Sequence, residues 1–201
     1  MSTIFTMVGF QKSYDVLSPA KLAHVVLRTR NFEEMKEFYK KFLGASVEFE
    51  NEVACFLRYD EEHHRIGILK FEGLSESGRT APGLEHIAFT FNNVHDLLKV
   101  WQQRKAYGIE PVWCVNHGAT TSMYYEDPDG NKLESQVDNF DDEDEQREFL
   151  MSEKFRSNPV GTDFDPLDLK KRLEAGESES SLKMRVEIGP RAFPRFVGQP
   201  A

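Results

Sequence analysis

Two short apolar segments of the sequence carry a histidine in the same position. Leu22 to Arg28 reads Leu-Ala-His-Val-Val-Leu-Arg, and Leu84 to Thr90 reads Leu-Glu-His-Ile-Ala-Phe-Thr. Runs of β-branched and apolar residues of this kind are typical of β-strands. A lone histidine on an apolar strand is usually a hydrogen-bonded core residue. The repeated position instead predicts that His24 and His86 share one site across a cleft, provided that an approximate twofold axis relates the two halves of the chain.

A carboxylate joins these histidines as a candidate ligand. Glu134 lies in the strand-like stretch 133–137, where a buried carboxylate is costly unless it is paired or binds a metal. The alternative is an acidic residue on the surface of an edge strand. Two imidazoles and one carboxylate with open coordination positions suit non-heme Fe(II), and Mn(II), Zn(II) and Ni(II) are also compatible. The sequence thus predicts a divalent metal site on His24, His86 and Glu134.

The elements that must position these residues occur twice in the same order. Residues 31–43 and 93–107 place apolar side chains at spacings of three and four, and Gly44 and Gly108 follow them, which predicts two amphipathic helices. Three strand-like segments come after each helix, at 46–50, 53–59 and 65–71 and then at 110–115, 121–126 and 132–137. The predicted fold is α+β, with two βαβββ repeats forming one curved mixed sheet around a metal-binding cleft and the helices outside.

The chain divides into three parts by composition. Residues 1–20 are interpreted as an N-terminal arm and residues 21–140 as one domain, with repeats of about 21–72 and 83–140. Residues 141–201 form a C-terminal extension that opens with an acidic run and has a short predicted helix at 166–174. We assign no chemistry to this extension from its sequence.

Bulk composition excludes several classes of protein. A chain of 201 residues can build a core without disulfide or metal support. The net charge of −9 and the scattered Lys and Arg residues disfavour nucleic acid as a partner. No apolar run is long enough to span a membrane, and the N-terminus lacks the order of a secretory signal, so we expect a cytoplasmic protein without a membrane partner. Cys55 and Cys114 lie in strand-like stretches and are predicted to be buried thiols.

Taken together, these features resemble the vicinal-oxygen-chelate superfamily, which includes glyoxalases, bleomycin resistance proteins and extradiol dioxygenases. The resemblance extends from Leu22 to Phe140 and is closest to one-domain biphenyl-2,3-diol 1,2-dioxygenase-like proteins. In that family a histidine on the first strand of each repeat and a glutamate on the last strand hold the metal, which matches His24, His86 and Glu134.

The resemblance also implies two catalytic residues. His64, the second of the adjacent pair His63-His64, would act as acid or base, although an exposed turn would also explain such a pair. Tyr124 stands ten residues before the glutamate in a Tyr-x-x-x-Pro-x-Gly setting and would donate a hydrogen bond to a substrate oxygen; its alternative is an ordinary sheet aromatic. The family's additional histidine falls at Val115, and His117 is the candidate to replace it.

The implied activity is extradiol cleavage of a catechol-like aromatic diol by O₂, with Fe(II) as the favoured metal. A small aromatic diol and O₂ are then the partners, and a homodimer is compatible with the sequence. Two other functions stay open: a non-redox glyoxalase-like isomerase or lyase, and a metal-free binding module, against which the intact ligand set argues. The candidate substrate-contacting residues are His63, His117, Phe56, Trp113 and Tyr125.

Overall fold

The computed structural model describes residues 14–75 and 82–191, and both predicted repeats are found there. The α+β class and the βαβββ order of each repeat are confirmed. The first repeat consists of β1 (Val25–Thr29), α1 (Phe32–Leu43), β2 (Ser46–Glu50), β3 (Ala54–Arg58) and β4 (Ile66–Lys70). The second consists of β5 (His86–Thr90), α2 (Val94–Lys105), β6 (Trp113–Asn116), β7 (Thr120–Glu126) and β8 (Lys132–Asp138).

The strands form two mixed sheets, which corrects the prediction of one continuous curved sheet. The first has the order β1-β4-β3-β2, and the second has the order β5-β8-β7-β6-β9, where β9 is Thr162–Asp163. In each repeat the first strand runs parallel to the last, and the other pairs are antiparallel. Within the described residues, β1 and β5 are both edge strands and no backbone ladder joins them, so the two sheets are separate.

One hydrophobic core lies on the helix-covered side of both sheets. Strand alternation sends Leu27, Ile66 and Ile68 to this side, where they pack against the apolar stripe of α1. The ring of Phe42 from α1 lies 5.1 Å from the ring of Tyr125 in the second repeat. The two repeats therefore share a single core, and the opposite faces of their sheets remain for other uses.

A buried arginine ties the repeats together inside this core. Arg104 of α2 donates from Nε to the carbonyl of Phe42 at 2.8 Å and from Nη1 to Ser135 Oγ at 2.7 Å. Its guanidinium carbon lies 3.5 Å from the centre of the Phe42 ring. Burial lowers the pKa of Arg104 to about 10. Because these bonds run to α1 and to β8, they hold the two repeats in a defined relative position.

Polar contacts to the turn between β7 and β8 add a second link between the repeats. Tyr39 Oη donates to Asp127 Oδ2 at 3.0 Å, and Asn31 Nδ2 donates to Asp129 Oδ1 at 2.7 Å. Asp127 and Tyr39 are both buried. These two hydrogen bonds join α1 and its N-cap to the β7–β8 turn, so α1 cannot move independently of the second repeat.

The C-terminal extension contributes more structure than the single helix predicted from its sequence. It contains α3 (Glu143–Met151), α4 (Glu153–Ser157), β9, α5 (Pro166–Glu174) and α6 (Glu179–Lys183), and α5 has the predicted bounds. Leu169 of α5 and Leu182 of α6 belong to the same core as the repeats.

Two further predictions concern the cysteines and the membrane. Cys55 and Cys114 are free thiols, and burial raises their pKa values to about 11 and about 12. Among the described residues, no helix combines the length and the apolar character that crossing a membrane requires.

Candidate metal and substrate site

The first repeat gathers three histidines on the sheet face opposite the helices. His24 directly precedes β1, and its ring stacks on that of His64 with centroids 4.2 Å apart. His64 is buried, with Phe56 of β3 stacked on its other side at 4.6 Å. His63 is exposed, and its Nδ1 lies 2.5 Å from Nδ1 of His64. We call His24, His63, His64 and Phe56 the first-repeat group.

An arginine holds this group in place. Arg65 Nη1 donates to the carbonyls of Leu22 and Ala23 at 2.6 and 3.0 Å, while its Nε donates to Asp60. These bonds fix the segment before β1 against the segment before β4, which sets His24 beside His64. Burial first, and then the neighbouring imidazole of His24, lower the pKa of His64 below its usual value. The ring is therefore neutral near pH 7 and able to accept a proton.

The second repeat places an imidazole against a carboxylate. His86 opens β5, and its Nε2 lies 3.0 Å from Oε2 of Glu134 on β8. Glu134 is only 4% exposed, and the strand register sets it between Ala88 of β5 and Tyr124 of β7. The carboxylate thus occupies a central strand, where a partner offsets its desolvation. We call His86, Glu134, Tyr124, Trp113 and His117 the second-repeat group.

Within this group, a histidine of the β6–β7 turn contacts the tyrosine hydroxyl. His117 Nε2 lies 3.0 Å from Tyr124 Oη, and its Nδ1 lies 2.5 Å from the carbonyl oxygen of Val160. Because a carbonyl only accepts, Nδ1 carries the proton of the neutral ring and Nε2 accepts from the Tyr124 hydroxyl. Burial lowers the pKa of His117, and burial with the nearby charge of Glu134 raises the pKa of Tyr124 well above its usual value. Both side chains are neutral near pH 7.

The extension supports this group from outside the repeats. The Trp113 ring stacks on Tyr124 at 5.1 Å, and its Nε1 donates to Asp163 Oδ1 at 2.8 Å. Sequence reasoning did not single out Val160 or Asp163, and neither has a local signal that would have revealed it. Both reach the site only because β9 pairs with β6.

The predicted metal ligands lie in two groups within one chain. Among the described residues, one set of three His, Cys, Asp or Glu side chains has donor atoms all within 4.8 Å of one another, and it is His24, His63 and His64. The predicted set of His24, His86 and Glu134 does not meet this distance. One chain therefore supplies an imidazole–carboxylate pair on the second repeat and an imidazole cluster on the first.

Two aromatic residues that were predicted to contact substrate, Phe56 and Tyr125, lie in different parts of the fold. Phe56 lies in the first-repeat group, whereas Tyr125 is fully buried in the core, 5.1 Å from Phe42. The prediction that Tyr125 contacts substrate is corrected, because adjacent strand residues point to opposite faces and Tyr124 faces the site. Val115 is also fully buried. His117 is the histidine that contacts Tyr124.

Comparisons with known proteins agree with this architecture. The family model of the Glyoxalase/Bleomycin resistance protein/Dioxygenase superfamily matches residues 21–135. The chain belongs to this superfamily. The match covers more than half of the chain, and it includes the first repeat, the second repeat as far as residue 135 in β8, and every residue of the two groups.

Two curated relatives from Rhodococcus globerulus extend the similarity into the extension. Biphenyl-2,3-diol 1,2-dioxygenase 2 is 43% identical over 157 residues, which cover 78% of this chain and 83% of the relative. Biphenyl-2,3-diol 1,2-dioxygenase 3 is 42% identical over 167 residues, which cover 82% of this chain and 88% of the relative. By their names, both relatives are oxidoreductases that act on a biphenyl diol.

A solved structure shows the same fold. The glyoxylase/bleomycin resistance protein/dioxygenase domain from Frankia sp. EAN1pec is 18% identical, covers 60% of this chain and 93% of its own, and has a TM-score of 0.51.

Proposed function

We propose that this chain is a metal-dependent extradiol-type dioxygenase that cleaves a catechol-like aromatic diol with O₂. The observation that carries the proposal is the 3.0 Å contact of His86 with the buried Glu134, beside the hydroxyl-bearing Tyr124. Relatives named as diol dioxygenases, at 42–43% identity over about four-fifths of the chain, support the same activity. A cytoplasmic location stays a prediction from the sequence.

The side chains of His24, His86 and Glu134 are of the types that bind iron, although only His86 and Glu134 are in contact in this structure. His86 and Glu134 supply one imidazole and one carboxylate, and His24 is the proposed third ligand in the first-repeat group. Fe(II) is the favoured metal for such a set, and Mn(II), Zn(II) and Ni(II) are the alternatives. When bound, the metal acts as a Lewis acid and provides electron transfer from the diol to O₂.

The remaining side chains bind substrate and hold protons. His64 is neutral and takes the proton of a diol hydroxyl at a ring nitrogen. The sequence predicts that Tyr124 donates a hydrogen bond to substrate, but its proton is directed to His117, so we propose that its oxygen instead accepts a hydrogen bond from a diol hydroxyl. The flat faces of Phe56 and Trp113 suit an aromatic ring. The proposed substrate is thus held by proton acceptors and aromatic surfaces, as a diol requires.

Anaerobic loading with Fe(II), followed by O₂ uptake with a panel of catechols, tests the proposal. We expect about one metal ion per chain and one O₂ consumed for each diol. Glu134→Gln and His86→Ala should lose most of the metal and keep the fold, whereas His95→Ala, on the exposed start of α2, is the matched control and should keep both.

Two outcomes would contradict the proposal in different ways. A protein that binds metal but consumes no O₂ with any diol is better described as a non-redox isomerase or lyase, which the replacement of the family's additional histidine by Val115 also favours. A folded protein that stays metal-free when Fe(II), Mn(II) and Zn(II) are offered is a binding module.

A further inference from the structure

A buried arginine of the C-terminal extension lies against the turn between β6 and β7, which carries His117. Only 2% of the Arg185 side chain is exposed. Its Nη2 donates to both carboxylate oxygens of Glu187 at 3.0 Å, and the Glu187 side chain is 41% exposed. An ion pair with a half-exposed carboxylate forms equally well at the surface, and burial of a cation is costly. The ion pair therefore does not explain why this guanidinium is buried.

The guanidinium of Arg185 joins two segments that are far apart in the chain. Its Nη1 donates to the carbonyl oxygen of His117 at 3.1 Å and to that of Asn158 at 2.8 Å. Its Nη2 donates to the carbonyl oxygen of Lys154 in α4 at 3.1 Å. One planar cation thus holds the β6–β7 turn against the C-terminal end of α4, in a way that a single ammonium group cannot reproduce.

The same two segments meet again where the His117 ring is oriented. Nδ1 of His117 donates to the carbonyl oxygen of Val160, which is fully buried, at 2.5 Å. The backbone between Asn158 and Gly161 is fixed, because Asn158 Oδ1 accepts from the Gly161 amide at 2.7 Å and Asn158 Nδ2 donates to the Gly161 carbonyl at 3.2 Å. A shift of Asn158 relative to His117 therefore also moves the carbonyl that orients the ring.

An aromatic ring of the extension packs against this joint. At Gly118, where φ is +93°, a Cβ would lie 2.2 Å from Cζ of Phe149. The guanidinium carbon of Arg185 lies 5.2 Å from the centre of the same ring. The β6–β7 turn is thus held by close packing as well as by hydrogen bonds, and both contacts come from the extension.

We propose that Arg185 is a positioning residue for the candidate site and acts on Tyr124 through His117. By holding the turn against the segment of Val160, it keeps Nδ1 of His117 as a donor and Nε2 as the acceptor of the Tyr124 proton. The direction of that proton decides whether the Tyr124 oxygen accepts a hydrogen bond from a substrate hydroxyl. The inference rests on the proposed function for the role of Tyr124, and it adds a residue that lies beyond the matched residues 21–135 of the superfamily model.

The tautomer of His117 tests this role without catalysis. Nitrogen-15 NMR of the full chain, without added metal, distinguishes protonated from unprotonated ring nitrogens, and the chain has six histidines to assign. In the parent we expect a protonated Nδ1 and an unprotonated Nε2 on His117. In Arg185→Met the two shifts should move toward each other, because the released ring exchanges between tautomers. Arg185→Lys keeps the charge without the planar fork and should give intermediate shifts.

Another arginine of the extension offers a matched control. Arg172 of α5 also pairs with both oxygens of one carboxylate, that of Glu177, through its Nε and Nη2. Arg172→Met removes the same charge from the same extension, and should leave the His117 shifts of the parent unchanged.

Turnover with a catechol provides a second readout. We expect Arg185→Met to lower kcat by about 10-fold at unchanged iron content, as for a misplaced hydrogen-bonding group. In a His117→Ala background the same substitution should cost little more, because the two residues act as one unit. A merely structural role for Arg185 instead lowers kcat equally in both backgrounds, and that result would contradict the proposal.

The remaining outcomes each decide the proposal. Parent-like His117 shifts in a folded Arg185→Met protein would overturn it, and so would equal changes in Arg172→Met. If Arg185→Met does not fold, Arg185→Lys decides: intermediate shifts support the positioning role, and parent-like shifts contradict it. If the parent cleaves no diol, the NMR comparison still tests Arg185, and only the dioxygenase proposal is contradicted.

Discussion

His64 differs from the other two histidines of the first-repeat group in its surroundings. It is buried between the rings of Phe56 and His24, whereas His63 and His24 are exposed. Its lowered pKa keeps a neutral, proton-accepting ring in an otherwise aromatic environment. These surroundings differ from those of a solvated turn and support the proposed acid–base role.

We expect His64→Ala to keep the metal and lose turnover. Loss of a positioned acid or base costs about 10²–10⁴-fold in rate. The measurement is kcat with a catechol, together with iron content, for His64→Ala and His63→Ala. A normal kcat in fully loaded His64→Ala would remove the acid–base role, and an equal loss in both variants would mean that the pair acts only through the local fold.

We propose that His117 is a positioning residue, because its ring reaches Tyr124 and its other nitrogen is held by Val160. We expect His117→Ala to lower kcat by about 10-fold to 100-fold through a misplaced hydroxyl, with unchanged metal content. If His117 acts through Tyr124, the same substitution in a Tyr124→Phe background should cost little more, since the two residues form one unit. Equal losses of kcat in the two backgrounds would contradict this coupling.

At the scale of elements, the pairing of β9 with β6 brings the extension to the site. Gly161, directly before β9, has φ +101°, and a Cβ there would lie 2.1 Å from the carbonyl oxygen of Asn116 and 2.7 Å from Cα of His117. Only glycine fits so close to the backbone of β6. The position of His117 therefore depends on a residue 44 positions later in the chain.

We expect Gly161→Ala to lower the free energy of unfolding by about 3–5 kcal/mol. The new Cβ would overlap backbone atoms of β6, and an alanine is also strained at this positive φ. Gly176→Ala is the matched control: its φ is also positive, at +85°, but a Cβ there meets no atom within 4 Å. The control should lose only about 1–2 kcal/mol. Urea unfolding measures both, and equal losses would show that β9 can move away from β6 at little cost.

At the scale of the whole molecule, the extension and the repeats share one core. Leu169 and Leu182 are buried among side chains of the repeats, and α5 and α6 both contact α2. Arg185 is almost fully buried and donates to the carbonyls of His117 and Asn158. We infer from these contacts that the extension and the repeats unfold together.

This inference predicts that Leu169→Ala lowers the stability of the complete protein by about 2–5 kcal/mol, in a single unfolding transition. Leu167, in the same helix, is half exposed, so Leu167→Ala should cost less than about 1 kcal/mol. Thermal unfolding followed by circular dichroism checks both variants. A separate early transition for the extension, with the main transition unchanged, would show that it folds as an independent unit.

The sequence by itself determined the repeats, the candidate ligands and the strand positions that carry them. Alternation along 22–28 and 84–90, and the helical spacing in 31–43 and 93–107, depend only on neighbouring residues, so they can be recognised without the fold. The same local logic identified Glu134 as a carboxylate in a central strand, which its burial bears out.

Only the tertiary structure decided which of these residues meet. The grouping of His24 with His63 and His64, and of His86 with Glu134, follows from how the two repeats pack through one core, and no local pattern encodes that packing. The same holds for Val160, which reaches the site through the pairing of β9 with β6. Contacts between distant segments depend on the sum of many weak packing interactions, whereas strand and helix periodicity is set by the covalent geometry of the backbone.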